Sequence, residues 1–552
     1  MSKLKYYFSI ALFLVVFSLK AQTGLTQKID TLLKIYDTKD TPGLVIKITK
    51  GDTVLYSKGL GIANLDYSIK NSDSTVFSIA SISKQFTAAA VWSLIRASKL
   101  SLDDNISSFF PEFPNYGKSI KIKHLLNHSS GIRNYHTTMF LSGFDYNRDY
   151  YDNAYVLELA KRQKQLNNQP GERITYSNTN YNLLALIVEQ VSKQNLDEYL
   201  KVNILTPLGM HDTFVRVSKG QPIKNRAIGY QKQGDTYISS TSNQLSYGAG
   251  SMGSHLNDLM IWANMLNGNI SGFTELALFL KTTELLTSGQ KANYARSLMV
   301  DDYMGYTTYS HSGFGFGGQT QLITIPEQNI SIVILTNLQS INPTPISYKI
   351  INLLGLNTKQ DIKTISKVLP FKSQKLNAFV GDYKEINSDM TMRISLESDT
   401  LKAQGSMGER ALPLMQTNTN TFVRRNDQNV KYDFTKTSKY DMIISFGGTP
   451  FYFKCANLIT ENPKNLNTFT GNYYSEELET TYHFFIDNNT LKLSYTNNDS
   501  ITLYPVQLNQ FGNRDRTLFH FKTEGTQQIT GMLLSCDGQS SSISFTKDQT
   551  QD

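Results

Sequence analysis

Apolar residues recur along the chain at two different spacings, and the change between them divides the chain into two regions. Between residues 22 and 358, segments with helical spacing alternate with short strands. In one such place the apolar run Gly43–Thr49 is joined to Thr53–Tyr56 by a Lys-Gly-Asp turn, which predicts an antiparallel hairpin. Strands at both ends of this region, with helices between them, predict an antiparallel sheet whose first and last strands come from opposite ends of the segment.

The same spacing predicts six helices in this region. They are expected over Thr26–Tyr36, from near Ser81 to about Lys99, over Ile122–His128, Tyr181–Val191, Leu256–Leu266 and Ile346–Leu354. Two strands, Gln321–Ile325 and Ile330–Leu335, are predicted on either side of a Pro-Glu-Gln-Asn turn. Residues 134–170 are rich in Tyr and Phe. They form either a partly ordered cover over a cleft or a satellite hydrophobic cluster, and the pattern does not choose between the two.

Beyond about residue 360 the pattern changes to short alternating strands separated by turns. The segment Leu376–Tyr383 matches Leu466–Tyr473 at an offset of 90 residues, which indicates an internal repeat. Each copy is long enough for a small antiparallel barrel, a form that leaves few strand edges exposed. We therefore predict a linker over residues 359–375, a first barrel over 376–460 and a second over 461–552.

The first 21 residues have a different character. Two lysines precede the apolar run Tyr6–Leu19, and Ala21 offers a small residue for cleavage, which is typical of a secretory signal peptide. We expect the protein to be exported, to the periplasm or the medium, with no membrane-spanning segment further along. Loss of this segment removes three lysines and lowers the formal net charge from +8 to +5. No block of basic residues remains, so nucleic-acid binding is not predicted.

Cysteine and histidine residues give little further direction. Cys455 and Cys536 either form one disulfide or remain two separate buried thiols, and the sequence leaves both open. His124 and His128 have the i, i+4 spacing of a metal-binding pair, but no glutamate lies between them as in a zinc-protease helix. A structural role is expected for both histidines, and no metal or cofactor is predicted.

The candidate chemistry begins with Ser81 and Lys84. A serine in the first turn of a helix, with an amine three residues later on the same face, is a possible activated nucleophile. The spacing alone is weak evidence because it recurs at Ser2/Lys5, Ser288/Lys291 and Ser544/Lys547. Only at Ser81 does a long apolar, alanine-rich helix follow.

Two further motifs follow in order, Tyr176-Ser177-Asn178 and His311-Ser312-Gly313. With Ser81-Ile82-Ser83-Lys84 they make the chain resemble the penicillin-recognising serine hydrolases, in the branch of class C β-lactamases, DD-peptidases and D-aminopeptidases. Tyr-x-Asn also occurs at Tyr151 and Tyr495, but only Tyr176 follows a Pro-Gly entry and precedes a helix. The resemblance covers roughly residues 25–357 and extends to these flanking strings: Leu125–Gly131, Pro170–Glu172, Pro207–Met210 and Gly248–Gly250.

The resemblance implies a β-lactamase/transpeptidase-like fold of the α/β (α+β) class, with an antiparallel sheet flanked by helices and a helical subdomain. The two repeats are then expected to be small lipocalin-like barrels. It also implies residue roles, with Ser81 as the nucleophile that forms an acyl-enzyme and Lys84 and Tyr176 as proton carriers. Substrate-binding residues would be Asn178, His311, Ser312 and Gly313, and the oxyanion hole would be the backbone N–H groups of Ser81 and Phe314.

His311 departs from the pattern, since the lactamases usually have lysine at this position. A histidine with an ordinary pKa of about 6.5 is mostly neutral at pH 7, which weakens the attraction for the carboxylate of β-lactams and D-Ala-D-Ala peptides. The favoured function is an exported serine hydrolase acting on small amides or esters, with D-amino acid amides and peptides first. The alternatives are a β-lactamase or DD-carboxypeptidase, a carboxylesterase, and a non-catalytic cell-envelope binding protein. The partner expected is a small-molecule or peptide substrate, and the oligomeric state stays open.

Overall fold

A computed structural model describes residues 24–240, 243–289, 291–356, 376–405, 410–425, 427–446, 449–459, 461–524 and 528–548. The predicted signal peptide and linker lie outside these residues. The chain forms two compact units, each built from several segments. The described residues of the first unit fall within 24–99, 188–282 and 295–356, and those of the second within 100–187, 283–294 and 376–548, apart from the gaps given above.

The part of the chain before residue 357 contains both helices and strands. The helices are α1 (24–33), α2 (Ser83–Arg96), α3 (Ile122–Leu126), α4 (Tyr135–Ser142), α5 (Asn153–Arg162), α6 (Asn178–Ser192), α7 (Leu196–Leu200), α8 (Thr206–Leu208), α9 (Leu256–Leu266), α10 (Thr274–Lys281) and α11 (Pro343–Leu353). The strands are β1 (Leu44–Lys50), β2 (Thr53–Leu60), β3 (Ile62–Asn64), β4 (Ile69–Lys70), β5 (Phe77–Ser78), β6 (Tyr151–Asp152), β7 (Phe214–Val215), β8 (Tyr230–Gln233), β9 (Thr236–Ser239), β10 (Gln244–Leu245), β11 (Met252–Ser254), β12 (Thr283–Leu285), β13 (Lys291–Ala295), β14 (Met299–Tyr303), β15 (Tyr306–Gly315), β16 (Gly318–Ile325) and β17 (Ile330–Thr336).

The first unit is organised around an antiparallel sheet. Its strands run in the order β14-β15-β16-β17-β1-β2, so the first strand of the region pairs with the last. The register sets Leu44 opposite Thr336 and Lys50 opposite Ile330. One face carries a continuous apolar core, contributed mainly by alternate residues of β1, β16 and β17 and by α11. The predicted sheet with strands from opposite ends of the segment is confirmed.

Helix α2 is shorter than the sequence pattern predicts. Its α-helical part begins at Ser83, after a 3₁₀ turn over Ala80–Ile82, and it ends at Arg96 rather than near Lys99. Ser98 adopts a left-handed conformation with φ of 55°, and the amide of Lys99 donates to the carbonyl of Leu94. This closing pattern satisfies the last carbonyls of the helix and stops it, although no glycine marks the place in the sequence.

The aromatic segment 134–170 belongs to the second unit and is ordered. Its helices α4 and α5 pack around a small hydrophobic cluster of Tyr135, Met139, Tyr151, Val156 and Leu159. Asp152 caps α5 by accepting a hydrogen bond from the amide of Tyr155 at 2.9 Å. Of the two interpretations left open by the sequence, the satellite hydrophobic cluster is the one that this packing matches.

The part of the second unit after residue 375 is built mainly from the strands of the two repeat copies. They are β18 (Gly381–Glu385), β19 (Thr391–Glu397), β20 (Thr400–Gly405), β21 (Leu412–Gln416), β22 (Thr421–Arg424), β23 (Asp427–Asp433), β24 (Met442–Phe446), β25 (Thr449–Cys455), β26 (Gly471–Ser475), β27 (Thr480–Asp487), β28 (Thr490–Tyr495), β29 (Asn498–Thr502), β30 (Tyr504–Gln507), β31 (Gln510–Gly512), β32 (Thr517–Glu524), β33 (Gln528–Cys536) and β34 (Ser540–Lys547). Strands β18–β25 form a closed barrel.

The two copies of the repeat share a local hydrogen bond. The hydroxyl of Tyr383 donates to the carbonyl of Phe379, and the hydroxyl of Tyr473 donates to the carbonyl of Phe469. Each bond fixes the entry to its first strand, which explains why the repeat is clearest there. The second copy differs from a fully closed barrel because its nine strands form a curved sheet that ends at β29 and β30.

The two cysteines are separate thiols in this structure. Cys536 is buried, whereas Cys455 is exposed, so the expectation of two buried thiols is wrong for Cys455. Burial raises the pKa of the Cys536 thiol to about 12, which keeps it protonated and unreactive. Within the described residues, none of the helices combines the length and the apolar character needed to cross a membrane.

Candidate active site

Ser81 and Lys84 are brought together in the first unit. Ser81 lies in the 3₁₀ turn that leads into α2, and Lys84 lies in the first turn of that helix. The Nζ atom of Lys84 donates to Ser81 Oγ at 2.9 Å and to the carbonyl oxygen of Ala249 at 2.8 Å. The amine is therefore held directly against the hydroxyl that the sequence predicts as the nucleophile.

The side chain of Lys84 is completely buried. Burial holds its pKa well below the ordinary value for lysine, because the charged form loses its hydration. A neutral amine at 2.9 Å from a hydroxyl can accept the hydroxyl proton as the oxygen attacks a carbonyl carbon. The surroundings of Lys84 thus favour a general base over a permanent cation.

Among the other Ser-x-x-Lys matches, Ser544 and Lys547 give a useful contrast. They lie on β34, where residues three positions apart project to opposite faces of the sheet. Ser81 and Lys84 are three positions apart at a helix start, which places their side chains side by side. The same spacing therefore gives a hydrogen-bonded pair in one context and a separated pair in the other.

Strand β15 passes close to the turn that carries Ser81, and Gly313 permits this approach. A Cβ atom at Gly313 would lie 2.8 Å from the Cβ of Ala80 and 2.4 Å from Thr320 Oγ1. Thr320 also donates to the carbonyl of Ile79 at 3.1 Å, which ties the neighbouring strand to the same turn. Ala80 itself has a left-handed φ of 46°, a strained conformation for alanine directly before Ser81.

His311 and Ser312 lie on β15 next to this contact. His311 is buried and its Nδ1 lies 2.5 Å from the carbonyl oxygen of Ser312, whereas the Ser312 side chain is exposed. Burial lowers the pKa of His311 to about 3, and the nearby charge of Lys84 acts in the same direction. The imidazole is therefore neutral at ordinary pH and supplies no cation for a substrate carboxylate. Phe314 follows with its side chain mostly exposed.

Tyr176 and Asn178 belong to the second unit, where His128 supports Tyr176. The two rings lie 4.3 Å apart between centroids, and His128 also packs on Tyr294 at 4.8 Å. The residues on both sides of Tyr176 bond to the same histidine, since the amide of Thr175 donates to its carbonyl and the amide of Ser177 to its Nδ1. His128 therefore fixes the backbone and the ring of Tyr176 together.

Asn178 begins α6 and is held by Asn134. The backbone N–H and the side-chain Nδ2 of Asn178 both donate to Asn134 Oδ1 at 3.2 Å. Asn134 Nδ2 in turn donates to Gln539 Oε1 in the second barrel, and the Asn134 amide donates to the Gln539 carbonyl at 3.3 Å. A chain of three amide side chains thus joins the second barrel to Asn178.

A buried ion pair reinforces the same contact. Arg133, next to Asn134, donates to Glu477 Oε1 at 2.6 Å through Nε, and both side chains are at most 5% exposed. Arg133 also donates to Asn167, whose Oδ1 accepts from the amide of Ser541 at 2.8 Å. The segment that carries Asn134 is therefore held by the second barrel through several buried polar contacts.

Sequence reasoning missed the roles of His128, Asn134 and Gln539. The string Leu125–Gly131 carried a signal for His128, because it matches the family pattern, but the residue was assigned only a structural role. No local signal pointed to Gln539, which lies 405 residues from Asn134 in the sequence. Within the residues that the structure describes, no group of three or more His, Cys, Asp or Glu side chains could hold a metal ion.

Comparison with known proteins identifies the family to which the chain belongs. A family model described as β-lactamase matches residues 25–350, which is more than half of the chain. The chain belongs to the β-lactamase family. The region matched in this β-lactamase family member contains all three motifs, from Ser81 to Gly313.

Individual relatives of this family member agree with the assignment. Protein flp of Staphylococcus aureus strain MW2 is 32% identical over 327 residues, covering 57% of this chain and 63% of that protein. A D-aminopeptidase of Gluconobacter oxydans is 23% identical over 354 residues, covering 64% of this chain and 65% of that protein. The chain thus matches less than two thirds of the length of either relative.

Solved structures extend the likeness beyond the β-lactamase region. The octameric penicillin-binding protein homologue from Pyrococcus abyssi aligns with a TM-score of 0.53 at 23% identity, covering 87% of this chain and 99% of that one. At this identity the likeness shows the fold alone. It confirms the β-lactamase-like fold with C-terminal barrels that the resemblance implied.

Proposed function

We propose that this β-lactamase family member is a serine hydrolase that cleaves small amides or esters through an acyl-enzyme on Ser81. The observation that carries the proposal is the 2.9 Å contact between Lys84 Nζ and Ser81 Oγ, with a lysine whose burial favours its neutral form. A hydroxyl and a neutral amine at this distance form a nucleophile and its base. The family match supports the same chemistry.

The reaction follows from these positions. Ser81 Oγ attacks the substrate carbonyl carbon while its proton passes to Lys84, and the resulting oxyanion takes hydrogen bonds from the backbone N–H groups of Ser81 and Phe314. The leaving amine or alcohol departs with a proton supplied by Lys84 or Tyr176. A water then attacks the ester carbon, with Tyr176 as the proposed base, and releases the acid and free Ser81.

Among substrates, D-amino acid amides and peptides come first in the proposal, with small esters next. The D-aminopeptidase relative and the C-terminal barrels support this order, and the neutral His311 argues against a substrate whose carboxylate must be held there. β-Lactam or DD-carboxypeptidase activity is the second candidate, favoured by the family match.

The test is a panel of D-Ala-anilide, p-nitrophenyl butyrate and nitrocefin, assayed on the wild type, Ser81→Ala and Ser544→Ala. We expect turnover of the anilide or the ester by the wild type and by Ser544→Ala, and none by Ser81→Ala. Ser544 is the matched control because it has the same Ser-x-x-Lys spacing on an exposed strand position. Equal turnover by Ser81→Ala would contradict the proposal, and turnover of nitrocefin alone would favour the second candidate.

We also propose that the protein is exported, on the basis of the lysine-flanked apolar run at its start. Expression of the full chain in a bacterium, followed by fractionation and N-terminal sequencing, tests this proposal. Export predicts a processed form outside the cytoplasm that begins near residue 22. An unprocessed cytoplasmic protein would contradict it.

A further inference from the structure

A cavity of about 80 Å³ lies beside the strand that leads to the nucleophile, within the first unit. Phe77 and Ser78 of β5 form one wall, and Gly315 and Phe316 at the end of β15 form another. Ser78 and Ser81 are three positions apart, and three steps of extended chain span at most about 11 Å. The cavity is therefore within reach of a small group attached to a carbonyl at Ser81.

Two arginines also line this cavity, and rigid backbone holds both of them. The amide of Arg216, directly after β7, donates to the carbonyl of Ser251 at 2.8 Å. Arg226 lies between two backbone bonds to Val76, one from the Val76 amide to the Asn225 carbonyl and one from the Ala227 amide to the Val76 carbonyl, each 2.9 Å. The backbone of both residues is thus held in the wall, Arg216 being half-buried and Arg226 exposed.

The positive charge of this pair is not compensated by a carboxylate of the described residues. Arg216 Nε is buried without a hydrogen-bond partner, and the Nη2 atom reaches only the carbonyl of Lys219 at 3.5 Å. Arg226 is an exposed residue, but partial loss of hydration lowers the pKa of its guanidinium, and the charge of Arg216 lowers it further. Across the described residues, neither arginine forms an ion pair with a carboxylate. An anion between them would relieve the repulsion and supply the missing acceptor.

We propose that Arg216 and Arg226 bind a carboxylate carried by the substrate, so that within the small amides, peptides and esters of the proposed function those with a carboxylate are preferred over their neutral counterparts. Guanidinium groups match the planar geometry of a carboxylate, and the apolar walls formed by Phe77, Phe214 and Met252 suit a short carbon chain leading to it. This inference rests on the proposed function, because it assigns the substrate class for the same Ser81 chemistry. It also excludes an ammonium group from this cavity, so a peptide substrate would present its carboxylate here.

Matched ester pairs test the substrate class and the side from which the carboxylate enters. The first pair is p-nitrophenyl hemiglutarate, with an anionic acyl group, and neutral p-nitrophenyl valerate. The second pair is 4-butyryloxybenzoate, with an anionic leaving group, and neutral phenyl butyrate. We expect one anionic ester to be preferred over its neutral partner by about tenfold in kcat/KM, mainly through KM, as expected for a charge-assisted hydrogen bond. No preference in either pair would overturn the proposal.

Arginine variants connect that preference to the cavity. Arg216→Gln and Arg226→Gln are expected to lower the anionic-to-neutral ratio of kcat/KM about tenfold each. Lys70→Gln is the matched control, since it removes one positive charge from an exposed strand of the same unit that does not line the cavity. An unchanged ratio in both arginine variants, or an equal fall in the lysine variant, would overturn the assignment.

Binding to the inactive protein separates this inference from the proposed function. Ser81→Ala lacks the nucleophile, so the increase in its melting temperature with monomethyl glutarate reports binding without catalysis. We expect an increase with monomethyl glutarate, none with methyl butyrate, and loss of the increase when Arg226→Gln is added. If the wild type hydrolyses no ester but this pattern holds, the proposed function fails and the carboxylate site stands. If the wild type hydrolyses the neutral esters but this pattern is absent, the proposed function stands and the carboxylate site fails.

Discussion

The first motif, Ser81–Lys84, and the second motif, Tyr176–Asn178, differ in which parts of the chain hold them in place. Ser81 and Lys84 are supported within the first unit, through the carbonyl of Ala249 and through the buried residues of α2. Asn178 is supported by Asn134, which is held in turn by Gln539 of the second barrel. The family match ends at residue 350, so Gln539, which holds Asn134, lies outside the matched region.

The second barrel is a structural support of the segment that carries Tyr176 and Asn178. The first barrel makes a different kind of contact with that segment. Lys439 of the first barrel pairs with Glu172 at 2.8 Å, but the lysine side chain is 65% exposed. The second barrel contributes the buried Arg133–Glu477 pair instead. Buried and exposed ion pairs differ greatly in what their loss costs.

The largest effect is expected on the first-motif side of the comparison. Lys84→Met removes the base next to Ser81, and we expect kcat/KM to fall by about 10³-fold or more while the melting temperature holds or rises, because a buried amine is replaced by an apolar chain of similar length. Steady-state assays and thermal unfolding measure the two quantities. Retention of more than about a tenth of the activity would show that Lys84 is not the base.

Removal of the buried Arg133–Glu477 pair, which holds the segment of the second motif, should lower the stability of the protein. Glu477→Ala leaves Arg133 buried without its carboxylate, at an expected cost of about 3–5 kcal/mol in the free energy of unfolding. The matched variant Lys439→Ala breaks the exposed pair of the first barrel and should cost at most about 1 kcal/mol. Thermal and urea unfolding measure both costs. Equal losses of unfolding free energy in Glu477→Ala and Lys439→Ala would show that the two barrels do not differ in how strongly they hold this segment.

Loss of the amide contact should lower activity with a smaller change in stability. Gln539→Ala removes the acceptor that orients Asn134, and with it the support of Asn178, so we expect kcat/KM to fall about threefold to tenfold, which corresponds to about one neutral hydrogen bond. Acylation of Ser81 by a fluorophosphonate should continue, because the Ser81–Lys84 pair is untouched. An unchanged kcat/KM would mean that Asn178 does not depend on the barrel.

The pH dependence should separate Lys84 from His311. Lys84 must be neutral to accept the Ser81 proton, so activity is expected to fall as the pH drops through its lowered pKa. His311, with a pKa of about 3, stays neutral over the same range and contributes no step. A profile of kcat/KM between pH 5 and 9 in His311→Gln should therefore keep the position of its acid limb. A shift of the acid limb of this profile would show that His311, and not Lys84, is the group whose titration limits activity at low pH.

The smallest effect is expected at Thr87, within the first unit. Its hydroxyl donates to the carbonyl of Gly248 at 2.8 Å and helps to hold the loop that carries Ala249. Thr87→Val removes that bond while keeping the side-chain shape, at an expected cost of about 1 kcal/mol in the free energy of unfolding. Thermal unfolding measures it, and a loss of more than about 3 kcal/mol would show that this loop depends on Thr87 far more than one hydrogen bond allows.

The sequence predicted the features that depend on short stretches of chain. The hairpin of β1 and β2, helix α9 and the Ser81–Lys84 pair follow from local spacing, and the structure contains each of them. The end of α2 was placed too late because Ser98, a residue that rarely takes a left-handed conformation, stops the helix. The repeat predicted two barrels, but the open edge of the second depends on long-range strand pairing that the repeat does not record.

What the sequence could not predict are partnerships between distant residues. Asn134 and Gln539 are ordinary polar residues in their local context, and only folding makes them neighbours. The same is true of Arg216 and Arg226, which are brought to one cavity by separate backbone bonds. The resemblance named the residues proposed to react, whereas the residues that contact them appeared only in the structure.

The central claim is that Ser81 forms the acyl-enzyme, and intact-protein mass spectrometry of the fluorophosphonate-treated chain tests it most directly. The account predicts a single added mass on the wild type and on Ser544→Ala, mapped by peptide digestion to the segment containing Ser81, and no added mass on Ser81→Ala. An adduct of equal yield on Ser81→Ala, or one mapped to another serine, would contradict it.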